Sequence, residues 1–296
     1  MGAANGESMY YLVISAAVTM FGVQFFFNER YTNSEGAGMR AVLRFTLCAN
    51  AAGAVILSLI ALIQSGFRLP SFSFFTLGIA AAATLNGFLY NFCSFQSLAK
   101  INLSLYSVFA MLGGMTLPFV SGILFFHEDF TLGKGVCFAF IALALSFTVE
   151  KGQKRGGWPY YLGIFIFNGM SGVLTKIYQY FDVPKTPDAY YSVTLALLMT
   201  LTSAVLLLFN KEEKKKPALR TVGYSAGYGV LSTVANFLLL LSLSHLPASA
   251  QYPFVTGGVM IVSTVLCLFT PNKPKKKDLL SVALAFAGIM ALVFFE

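Results

Sequence analysis

Residues 10–27, YYLVISAAVTMFGVQFFF, and residues 160–181, YYLGIFIFNGMSGVLTKIYQYF, decide how this chain is read. A helix rises 1.5 Å per residue, so about 20 apolar residues cross the roughly 30 Å hydrocarbon layer of a bilayer. Comparable stretches recur at 41–63, 72–98, 103–126, 132–149, 189–209, 219–244, 247–270 and 279–295. Ten spans then account for nearly the whole chain. Buried strands are excluded because each run stays apolar over twice a strand's length, and a membrane barrel would alternate with period two in segments of about ten residues. Composition agrees: 57% of residues are hydrophobic and 11% charged, against about 25% charged in a soluble domain.

Residues 1–9 contain Glu7 and no Lys or Arg, unlike the basic start of a cleaved signal peptide, so the first helix is expected to be retained. Cys48, Cys93, Cys137 and Cys267 each sit singly inside an apolar run. With no CxxC and no histidine at ligand spacing, they read as small packing residues, and no metal or cofactor is expected.

The two opening stretches also repeat. Tyr10-Tyr11-Leu12 matches Tyr160-Tyr161-Leu162, and Met20, Gly22 and Val23 match Met170, Gly172 and Val173 at the same offset. LAKINLSLY at 98–106 has a counterpart in LSHLPASAQY at 243–252, each leading into a glycine pair, Gly113-Gly114 and Gly257-Gly258. The expectation is an all-α integral membrane protein of ten transmembrane helices in two five-helix repeats, residues 1–150 and 151–296. An odd number per half inverts the second relative to the first. Inverted repeats place a site between the halves near the midplane and work by rocking one half against the other.

Loops after odd-numbered helices hold 15 of the 20 Lys and Arg residues, including the runs KEEKKK at 211–216 and KPKKK at 273–277. Basic loops stay cytoplasmic. Both termini are therefore expected outside an inner, cytoplasmic membrane. The net charge of +8 belongs to that face, as topology determinants or as a contact for acidic lipid headgroups, and calls for no nucleic acid.

Residues 98–147 run through a turn and a helix (LAKINLSLYSVFAMLGGMTLPFVSGILFF), then His127-Glu128, then a glycine-punctuated helix (FTLGKGVCFAFIALALSF). This pattern, with the last helix LSVALAFAGIMALVFF at 280–295, resembles the ten-helix EamA-like branch of the drug/metabolite transporter superfamily. The resemblance implies ten spans and transport of a small organic solute. Three departures stand out. The branch usually has Gly-Glu where this chain has His127-Glu128, and the Glu of the equivalent second-half turn is replaced by 271–277; the charge count also reverses the family's usual orientation.

Polar side chains inside spans are costly and so mark function or packing. All 12 carboxylates lie at helix ends, in loops or at termini. The small multidrug relatives of this superfamily carry a Glu in the middle of the first helix, where this chain has Ala17-Val18. A carboxylate-driven proton/cation antiporter is therefore not expected. Interior amides and hydroxyls remain: Gln24, Asn50, Asn86, Asn91, Asn168, Ser171 and Asn236. Each serves either the cavity or interhelical hydrogen bonding. Asn168 has Gly169 beside it and Gly172 one turn on, which lets backbone or ligand approach closely. Gln251, Tyr252 and Pro253 follow Pro247, and Tyr106 stands where Tyr252 does. The tyrosines either grip an aromatic or cationic headgroup or belong to an interfacial belt. Arg40 and Arg44 share a helix face. Arg44, the deeper, either pairs with Glu29 or meets a substrate carboxylate or phosphate. Lys176 and His127-Glu128 read as gate or turn contacts, and Gly223, Gly227 and Gly229 as a close-packing face.

Enzyme signatures are missing: His127-Glu128-Asp129 is not HExxH, and 169–172 (GMSG) is not GxSxG. The expected function is a secondary transporter of a small neutral or zwitterionic metabolite, amino acids foremost, acting as monomer or homodimer in the lipid bilayer. Asn168, Asn236, Tyr106, Tyr252, Arg44, Asn86, Gln251 and Ser171 are the expected substrate contacts. The alternatives are a carrier of quaternary amines or drug-like cations, and a lipid-handling or scaffold protein with no solute pathway.

Overall fold

A computed structural model describes residues 2–36, 38–68, 73–98, 103–147, 158–211, 218–267 and 276–295, and no strand occurs among them. They form ten helices: α1 (Gly2–Glu35), α2 (Met39–Gln64), α3 (Phe74–Leu98), α4 (Leu103–Phe125), α5 (Leu132–Phe147), α6 (Trp158–Tyr180), α7 (Asp188–Phe209), α8 (Leu219–Leu243), α9 (Ala248–Cys267) and α10 (Lys276–Phe294). Each apolar run falls on one helix. Local chemistry sets several ends. The Thr131 hydroxyl caps α5 by accepting from the Lys134 N–H at 3.3 Å. Asp188 puts a carboxylate into the first turn of α7, where the helix dipole favours it. After α2 the chain reverses through Gly66 and Phe67, both at positive φ.

Among the described residues α2, α7 and α8 are long and apolar enough to cross a membrane on length and composition alone. In α1, α4, α5 and α10 the apolar runs are shorter. Helix α1 continues to Glu35, through polar residues beyond the apolar run that ends at 27. Much of the outer surface is aliphatic: Leu12, Val55, Ile63, Leu85, Leu124 and Leu201 are all exposed. Exposed apolar side chains are unfavourable in water by about 25 cal/mol per Å², and so many of them are compatible with a membrane protein.

The helices interleave across the midpoint of the chain. Helix α1 packs on α8 and α9, α6 packs on α3 and α4, α2 lies against α7 and α8, and α5 lies against α10. The largest core cluster joins Met115, Cys137, Ile141, Leu145, Ala285 and Leu292 from α4, α5 and α10. Others join Leu57, Tyr190 and Phe237 of α2, α7 and α8, and Ala80, Tyr178, Tyr191 and Leu240 of α3, α6, α7 and α8. Close approach depends on glycine at two crossings. A Cβ on Gly113 would collide with the Phe165 backbone of α6, and one on Gly229 with the Ala49 backbone of α2. The expected glycine face of α8 is narrower than its sequence spacing suggested: Gly229 and Gly227 meet neighbours, but Gly223 faces open space.

Candidate functional site: the α6 crossings, the Glu128 latch and a basic cavity

Four of the eight candidate residues meet at α6. From α3, Asn86 donates its amide to the Phe167 carbonyl and the Ser171 hydroxyl, each at 2.8 Å. Asn168 donates to the Ala110 carbonyl of α4 at 2.6 Å, and Tyr252 of α9 donates to the Gly172 carbonyl at 3.1 Å. Gly172 makes the last contact possible, since a Cβ there would meet Pro118 at 2.5 Å and the Tyr252 ring at 2.8 Å. These bonds tie α3, α4 and α9 to one helix through polar groups that lipid could not satisfy. Asn50 bonds the Thr46 carbonyl of its own helix at 2.9 Å.

Other candidates stand apart. Gln251 is fully buried and donates to the Leu239 carbonyl of α8 at 2.8 Å, while its Oε1 has no hydrogen-bond partner among the described residues. Asn236 is exposed and bonds Ser232 of its own helix at 2.8 Å, so it does not join the α6 group. The side chains of Tyr106 and Glu29 lie outside the described residues, as do positions 212–217 and 268–275 of the two basic runs.

Where the α4–α5, α6–α7 and α8–α9 loops gather, Glu128 forms a second polar cluster. Its carboxylate accepts from the N–H groups of Ala248 and Ser249 at 2.8 and 2.9 Å, capping α9, and pairs with Lys176 of α6 at 2.7 Å. Burial raises the Glu128 carboxyl, but Lys176 and Ser249 more than offset it and hold the pKa below the ordinary value of 4.5. Left-handed backbone at His127, φ 53°, aims Glu128 inward. That conformation is what makes glycine the natural residue there. One carboxylate thus fastens the turn after α4 to α6 and α9. The sequence marked both Lys176 and Glu128 as gate or turn residues without pairing them, because 48 positions separate them.

At the opposite helix ends lies a cavity of about 370 Å³ lined by Tyr31, Arg40, Arg44, Cys48, Val222 and Ser225, with leucines from α2 and α7. Tyr31 donates its hydroxyl to the Ala41 carbonyl at 2.7 Å, bracing α1 against α2. Arg40 donates to the Asn210 carbonyl at 3.1 Å. Among the described residues Arg44 is the one predicted site residue that lines this cavity. The spacing of the two arginines foretold a shared face; the contribution of α1, α7 and α8 had no local signal.

No protein-family model matches the chain and no curated protein matches it. Twenty-nine chains of solved structures match its fold. One, described only as "Crystal structure of protein", superposes with a TM-score of 0.73 over 96% of both chains at 16% sequence identity. At that identity the likeness extends to the fold alone.

Proposed function

We propose that this chain is a secondary transporter of the drug/metabolite type. Its ten helices span the membrane as two inverted halves, 1–150 and 151–296, and move a small neutral or zwitterionic metabolite, amino acids foremost, by alternating access. The carrying observation is the difference between the two ends of the bundle. One end is fastened by Glu128 to Lys176 and to the start of α9; the other holds the 370 Å³ cavity. A carrier needs such an asymmetry in each of its states, with an ion pair that can be broken closing one end.

Neighbour relations support the inverted halves. Exchanging each helix for the one five positions along turns α1 on α8 into α6 on α3, and α4 on α6 into α9 on α1, and leaves α2 on α7 and α5 on α10 unchanged. Rocking about α6 would strain the bonds of Asn86, Asn168 and Tyr252 to backbone carbonyls, so those residues are placed to sense the motion.

Solute counterflow in proteoliposomes tests the proposal. Purified protein loaded with one unlabelled amino acid should accumulate the same labelled amino acid transiently, and Lys176→Met should alter the rate. Absence of counterflow for amino acids, nucleosides, sugars and choline-like cations alike, with protein shown to be folded, would leave the scaffold reading.

A further inference from the structure

The basic cavity is more specific than a solute vestibule requires. We infer that it is a binding site for the oxyanion of an amphipathic molecule, a phosphate or carboxylate group carried on an apolar body. Arg40 and Arg44 lie one turn apart on α2, with Arg44 about 6 Å deeper along the axis. Both belong to the first two turns of α2, which starts at Met39 without a side-chain cap. Two cations there add to the positive end of the helix dipole, an arrangement that favours an anion between them.

Among the described residues the lining contains no Asp or Glu. Glu35 is nearby but accepts from the Thr221 hydroxyl at 3.0 Å. Arg40 is held by the Asn210 carbonyl, and Arg44 has no hydrogen-bond or ion-pair partner among the described residues. A half-buried guanidinium facing a cavity of this size presents its planar fork to the one ligand class that matches it bidentately. The hydroxyls do not compete. Tyr31 donates to Ala41, and Ser225 to the carbonyls of Thr221 and Val222.

The other walls fix the rest of the ligand. Leu47, Leu207, Leu208 and Val222 are apolar, and Leu208 is 84% exposed, so the cavity reaches the aliphatic flank of α7. A fully hydrated ion would leave those walls dry and unmatched. An acidic phospholipid headgroup and a soluble organic anion share the required chemistry, and basic pockets between helices are known to suit the former. The site stands whether or not the chain carries a solute, since equilibrium binding reads it without flux.

The test has two arms. Native mass spectrometry would compare phosphatidylglycerol with phosphatidylcholine, and calorimetry would compare octyl phosphate and octanoate with octanol. Preference for the anionic member in the first arm assigns the site to lipid; preference in the second assigns it to a soluble anion. In either arm Arg44→Gln should weaken binding by about ten-fold or more, the loss of one charge-assisted bidentate contact. Val222→Phe, which fills the cavity and touches no charge, should do the same, and keeps the test decisive if Arg44→Gln fails to fold. No anionic preference in either arm, or unchanged binding in the folded variants, would overturn the inference.

Discussion

Removing the Glu128 carboxylate should damage the protein more than removing the lysine it pairs with. The ion pair is 2.7 Å long, with the Lys176 and Glu128 side chains 11% and 8% exposed, so solvent screening is weak. Lys176→Met leaves the carboxylate with two backbone donors and should cost about 2 kcal/mol, the worth of one hydrogen bond between charged groups. Glu128→Ala strands a buried ammonium, worth about 3 to 5 kcal/mol, and bares the α9 N-terminus, worth about 1 kcal/mol more. A double-mutant cycle should return about 1 to 3 kcal/mol of coupling. The assay is reversible unfolding in mixed micelles. The same argument sets a pH dependence. The folded Glu128 pKa lies below its unfolded value, so its contribution is complete above about pH 4.5 and is lost as pH falls through the folded value. Glu128→Gln should flatten that acid limb. Equal costs for the two single variants, or coupling under about 0.5 kcal/mol, would mean that Glu128 does not hold Lys176 and the α9 N-terminus together.

His127→Gly should raise stability by about 1 kcal/mol in the same unfolding assay, because φ 53° strains any residue with a Cβ. Gly229→Ala should destabilise by about 1 to 3 kcal/mol by forcing α8 away from the Ala49 backbone, whereas Gly223→Ala, with open space around it, should stabilise by up to about 1 kcal/mol. Tyr252→Phe should cost about 1 kcal/mol through the lost Gly172 bond, while Asn236→Ala stays within about 0.5 kcal/mol.

The helices were legible because an apolar run of about 20 residues has few other fates, and α4 and α5 lie almost exactly on their expected ranges. Polar continuation of α1 to Glu35 was not, since apolarity does not report on a helix whose side chains are polar. Asn86, Asn168, Ser171 and Tyr252 could be chosen as interior polar groups, but which carbonyl each would meet depends on helix rotation, to which hydropathy is blind. Asn236 shows the same limit from the other side. Its type and depth resemble those of Asn168, yet its amide folds back onto Ser232. The pairing of Glu128 with Lys176 and the meeting of α1, α2, α7 and α8 around Arg44 are products of tertiary packing between distant segments.

Alternating access is tested by reciprocal thiol accessibility in proteoliposomes. One variant retains Cys48, in the basic cavity, as its only cysteine; the other carries only Ser249→Cys, behind the Glu128 latch. Without solute, Cys48 should react and the thiol at 249 should be protected. A transported amino acid at saturation should slow labelling at 48 and speed it at 249, each by several-fold. Labelling rates at both positions that ignore every solute accumulated in counterflow would show that the two ends do not open in alternation.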